Sequence, residues 1–153
     1  MIRWETCRRD FEPEGALRDI YVRGATIEDW RAVFDMLRRT YDLEFLVDSD
    51  PRALPTTVDE AFAIQVTASP VLRFCVGGIV VISHFFIAEE IDFDIDPREV
   101  TSQASLDELL GFLRRVGDTV GKAVILTYES SEQRPFITYE PSRREFQYHE
   151  FTA

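Results

Sequence analysis

The sequence predicts an α+β domain, a mostly antiparallel sheet with about three helices packed on one face. Three observations carry that prediction. Three segments repeat apolar residues at helical spacing behind capping residues. The other apolar segments are short and many of them alternate, as strands do. Two of those segments meet at Gly77–Gly78, a two-residue hairpin signal because both positions tolerate positive φ. The expected order is ββαβαβββαβββ in a single domain spanning 1–153, with no repeat, low-complexity tract or Gly/Ser linker to divide it.

Taken in order, "IRWETC" and "LRDIYV" read as a pair of strands. "TIEDW" opens the first helix, with Thr26 as N-cap and Asp29 closing a capping box; Ile27, Trp30, Val33, Phe34 and Leu37 form its apolar stripe. Glu28 and Asp29 in its first turn, and Arg38 and Arg39 in its last, complement the helix dipole. "YDLEFLVD" (41–48) alternates as a strand. A shorter helix over roughly 58–66 follows, where Thr57 and Glu60 have capping spacing. "VLRFCV" and "IVVISHFFI" flank the glycine pair. The second is apolar on both faces, so it belongs in the middle of the sheet. "EIDFDI" continues the meander. In "SLDELLGFLRRVGDTVGK", Ser105 reads as the cap, Glu108 closes the box and Gly121 stops the helix. "AVILTYE", "PFITYE" and "REFQYHEF" complete the sheet.

The net charge is −11. That field repels phosphate and anionic lipid, so neither nucleic acid nor membrane is an expected partner. The longest apolar run, "IVVISHFFIA" (79–88), is too short to span a bilayer. With no apolar leader and only Cys7 and Cys75, far apart, the chain reads as a cytoplasmic protein with reduced thiols. Sixteen of its 17 basic residues are arginine, a bias that points to a GC-rich bacterial genome.

Charge concentrates in residues 86–110, where eight acids face one base. At its centre Glu89, Glu90, Asp92, Asp94, Asp96 and Glu99 share a short stretch with Arg98. On a strand Asp92, Asp94 and Asp96 form a row, with Ile91, Phe93 and Ile95 pointing inward. A straight row cannot converge on a cation. The calcium-loop pattern fails too, with Pro97 where glycine is needed and Gln103 where a closing glutamate is needed, so no metal is expected. Two readings remain: a solvated strand face, or a docking surface for a basic partner, since such dense like charge costs stability through repulsion.

Other chemistry is sparse. His84 reads as a core residue on a strand face with Val80, Ile82 and Phe86, and His149 as exposed. Cys75 with His84 makes a poor nucleophile pair. No GxxxxGK[ST], GxGxxG or GxSxG occurs, so no cofactor and no catalytic residue is assigned. A pocket around His84, Glu89 and Glu90 is the best enzyme or ligand-binding alternative. Phe136, Tyr139, Phe146, Tyr148 and Phe151 read either as core or as an exposed patch that would support a homodimer. The favoured expectation is a non-enzymatic binding protein that uses the acidic stretch against a basic protein. Its general build, small, acidic and α+β, is similar to that of immunity proteins, which neutralise toxins.

Overall fold

The computed structural model describes residues 1–150. A short helix α1 (Trp4–Cys7) runs into a 3₁₀ turn at Arg8–Phe11. Then come β1 (Arg18–Arg23), α2 (Ile27–Thr40), β2 (Glu44–Val47), β3 (Asp50–Arg52) and α3 (Val58–Gln65). β4 (Pro70–Val76), β5 (Ile79–Ser83) and β6 (Glu90–Ile95) form the meander, followed by a 3₁₀ turn at Pro97–Glu99 and α4 (Gln103–Val120). β7 (Val124–Tyr128), β8 (Pro135–Glu140) and β9 (Glu145–Tyr148) end the described chain. All strand pairs are antiparallel in one nine-stranded sheet, order β3-β2-β4-β5-β6-β1-β7-β8-β9. The α+β class and the mostly antiparallel sheet are as the sequence predicts.

Alternation builds the core. Ile20 and Val22 of β1, Leu72, Phe74 and Val76 of β4, Ile91, Phe93 and Ile95 of β6, and Ile137 and Tyr139 of β8 are all buried. Helices cover this face: Phe112 of α4 packs edge-on against Phe93, and Tyr41, at the end of α2, stacks on Phe74. Fully burying one large apolar side chain contributes roughly 1.5–3 kcal/mol, so the many residues buried here contribute strongly to folding. The capping box of Thr26 and Asp29 forms as expected, and Gly121 ends α4 in the left-handed conformation.

Several local expectations are overturned. "IRWETC" is helical, not a strand: its apolar alternation yields to contacts with α4, where Trp4 N donates to Gln103 Oε1 and Gln103 Nε2 donates to Ile2 O. β1 therefore finds its partners in β6 and β7. β3 is an additional strand. Asp48 and Ser49, both at positive φ, turn the chain tightly after β2, and Pro51 is tolerated because β3 is an edge. α4 begins one turn early, capped by Ser102 with Ser105 at the third position. Thr57 makes no side-chain cap.

β5 stops at Ser83 because Phe85 adopts φ 54°. That turn drives Phe85 into the core against Trp30 and Phe62. Phe136 and Tyr139 are wholly buried, while Phe146 and Tyr148 pack partly buried against the core, so these four are core rather than an exposed patch. Phe151 lies outside the described residues. No helix among the described residues is long and apolar enough to cross a membrane.

Candidate functional site

Residues paired directly across a sheet point to the same face, so the β1–β6 register defines the surface opposite the helices. There Asp94 faces Asp19, Asp92 faces Tyr21, and Glu90 faces Arg23. β6 is the central strand, and β5 brings His84 to its other side. His84 Nε2 lies 3.2 Å from Asp94 Oδ2. From the β7–β8 loop, Ser130 N donates to Asp19 Oδ2 at 2.8 Å, and Tyr21 Oη donates to the same oxygen at 2.9 Å. Arg23 Nη1 reaches Glu132 O at 3.5 Å, which sets the Glu132 carboxyl near that of Glu90. Five carboxylates from two strands and a loop thus gather beside one guanidinium and one imidazole.

Burial makes this cluster unlike a wet strand face. Asp92 is only 7% exposed, and its Oδ1 has no hydrogen-bond partner. Burial pushes its carboxyl up to about 6, against the pull of nearby His84 and with repulsion from Asp94 and Asp19. Burial also raises Glu90, to about 7, helped by the neighbouring carboxyl of Glu132. The hydrogen bond to Asp94 raises His84 above the ordinary imidazole value despite partial burial. The solvated-face reading therefore fails for Asp92, which is buried beside His84.

His84 is corrected as well. It lies just past the end of β5, half exposed, and stacks on Phe86 with ring centres 5.1 Å apart. Since Phe85 turns inward, Phe86 and Ile87 project outward, 60% and 50% exposed. An apolar tip therefore stands beside the acids.

The structure divides the predicted acidic set. Glu90, Asp92 and Asp94 are gathered. Glu89 is exposed, and its backbone oxygen receives Ala25 N. Asp96 is occupied locally: it accepts from Arg98 N at 2.9 Å and from Arg98 Nη2 at 2.6 Å. Glu99 accepts from Val80 N at 3.1 Å. His84, Glu89 and Glu90 do not converge, since His84 pairs with Asp94 and Glu90 lies near Glu132. His149 is half-buried against Thr138. Cys75 is exposed, while Cys7 is buried, and that burial pushes its thiol up to about 11. Such a thiol is a poor nucleophile.

Asp19, Tyr21 and Glu132 were not legible as site residues. No spacing links them to β6; only the strand order and the loop do. Among the described residues no group of three or more His, Cys, Asp or Glu is arranged to hold a metal ion. What the site offers is concentrated negative charge at a partly desolvated surface with an aromatic flank. Such a surface attracts cations, above all a guanidinium, which pairs with carboxylates and stacks on rings. The chain matches no protein-family model, no curated protein and no solved structure.

Proposed function

We propose that this is a non-enzymatic, cytoplasmic bacterial binding protein whose helix-free face docks a basic protein, in the manner of an immunity protein neutralising a basic toxin. One observation supports the reading above the rest: Asp92 is a buried carboxylate that carries an unpartnered oxygen among Asp19, Glu90 and Asp94. His84 compensates this charge only in part, the rest costs stability, and a basic partner would offset that cost on binding. Phe86 and Ile87 supply the apolar anchor that a charged rim needs for tight association.

The test uses polyarginine as a defined basic probe across a salt series. Neutralising Glu89, Glu90 and Asp94 together to their amides should weaken binding at low salt by about tenfold, and Phe86→Ala should weaken it further. A control triple, Glu12, Asp35 and Glu145 to their amides, removes the same charge elsewhere and should change affinity little. Equal losses in both triples would reduce the attraction to net charge and end the proposal.

A second reading, a small enzyme or ligand-binding domain, rests on the clustering of shifted titrations at His84, Asp92 and Glu90, a pattern common at functional sites. It expects a small-ligand thermal shift that varies with pH and disappears in His84→Ala with the fold intact.

A further inference from the structure

The sheet ends in two edges, β3 and β9, and they are built differently. β3 is three residues long, exposed along its length, and carries Pro51, which has no N–H to offer a neighbouring strand. β9 has neither proline nor lysine. Side chains on the helix face hold it in place. Phe146 packs on Tyr139 with ring centres 4.8 Å apart, Tyr148 Oη donates to Asp10, and just beyond the strand Glu150 pairs with Arg9 at 2.7 Å.

The ladder directs the backbone of this edge. His149 N donates to Phe136 O at 2.8 Å, so Glu145, Gln147 and His149 turn their backbone groups towards β8. Phe146 and Tyr148 therefore turn theirs outward, where no described strand lies. Placed antiparallel against itself about Gln147, the edge is self-complementary. Phe146 meets the second copy's Tyr148, and each such pair can exchange both N–H···O bonds. Gln147 meets its own copy at the two-fold axis, and Glu145 meets the second copy's His149, an acid opposite an imidazole. The charge agrees. Residues 141–150 set Arg143 and Arg144 against Glu145 and Glu150 and are neutral, in a chain of net charge −11. A second copy, repelled by the acidic surfaces elsewhere, meets no such field here, and a basic partner gains little from it.

We infer that β9 is a homodimer edge, pairing antiparallel with β9 of a second copy about Gln147 so that the sheet continues from one protomer into the other. The two-fold axis then stands perpendicular to the sheet. Both helix layers share one side and both helix-free faces the other, whatever those acidic faces bind.

Sedimentation velocity at low salt, from about 10 μM to about 1 mM, should show a monomer–dimer equilibrium in the native protein. Gln147 is exposed, so changing it leaves the packing of the protomer intact. Gln147→Lys and Gln147→Glu each set like charges directly opposite one another, and each should weaken dimerisation by about fivefold or more. Mixed together, the two variants should associate at least as tightly as the native protein, because each then meets the opposite charge. A monomer throughout the range overturns the inference, as does association that neither variant weakens, which would place the contact elsewhere. Stronger association of Gln147→Lys alone would trace self-association to net charge and overturn it too.

Discussion

Asp92 and Asp94 stand two positions apart on one face of one strand, yet only Asp94 has a side-chain partner, His84 Nε2 at 3.2 Å. The difference is positional. His84, entering from the end of β5, reaches the carboxyl opposite Ile82 and Asp19, and Asp92 is left beneath it facing Tyr21. One carboxylate is paired at its surface, and its neighbour is desolvated with only partial compensation from His84. The pH behaviour of the molecule follows from that pairing.

Stability should fall as pH rises from about 5 to about 8, the reverse of a protein held by salt-bridged carboxylates. Asp92 and Glu90 bind protons more tightly folded than unfolded, their values rising from 3.8 to about 6 and from 4.5 to about 7. Each therefore loses stability as pH climbs through that window. The His84 contribution, from a value raised above 6.5, is present in acid and lost on the same side. Asp29, held low by Lys122 and the Thr26 cap against the opposing effect of burial, and Asp96, held low by Arg98, act oppositely; their contribution disappears only below 3.8. Urea midpoints collected across this range should peak near about pH 4.5. A flat or rising profile above that point would contradict the assignment.

Asp92→Asn should stabilise the protein at about pH 8 by on the order of 1–2 kcal/mol, because it removes a buried charge whose desolvation outweighs the attraction of His84. Near pH 4.5 the native residue is already largely neutral, so the gain should shrink towards zero. Chemical denaturation at both pH values checks this, and an equal gain at each would mean that packing, not titration, is responsible.

Two glycines in α4 should respond in opposite directions. A Cβ at Gly111 meets nothing within 4 Å, and the position lines an open groove with Tyr41, Glu108 and Arg115. Gly111→Ala should stabilise by about 0.5–1 kcal/mol through helix propensity alone. A Cβ at Gly117 would lie 2.6 Å from the Tyr139 ring, which is buried and tied through its hydroxyl to Asp118. Gly117→Ala should cost about 1–3 kcal/mol. Thermal unfolding of the pair decides the matter: a destabilised Gly111→Ala or a neutral Gly117→Ala would show the helix seated differently on β8.

Much of this could be read from the chain. The helix stripes, the Gly77–Gly78 hairpin, the Thr26 box and the inward run of Ile91, Phe93 and Ile95 depend on neighbours within a few residues, and all formed. The failures have a common cause. "IRWETC" carried a strand's alternation, but Gln103, far along the sequence, holds it as a helix. Phe85 belonged to a continuous apolar run until the space between Trp30 and Phe62 drew it through a positive φ and ended β5.

The candidate site divides along the same line. Sequence alone determined that residues 89–99 carry the charge and that alternate positions share a face, since both are properties of composition and backbone period. It could not determine which carboxylates meet water. Strand order set β1 beside β6 and so placed Asp19 and Tyr21 opposite Asp94 and Asp92, while the β7–β8 loop brought Glu132 onto Glu90. Desolvation depends on what lies above a side chain, not on what precedes it, so the burial of Asp92 and the pairing of His84 were decided only by the tertiary structure.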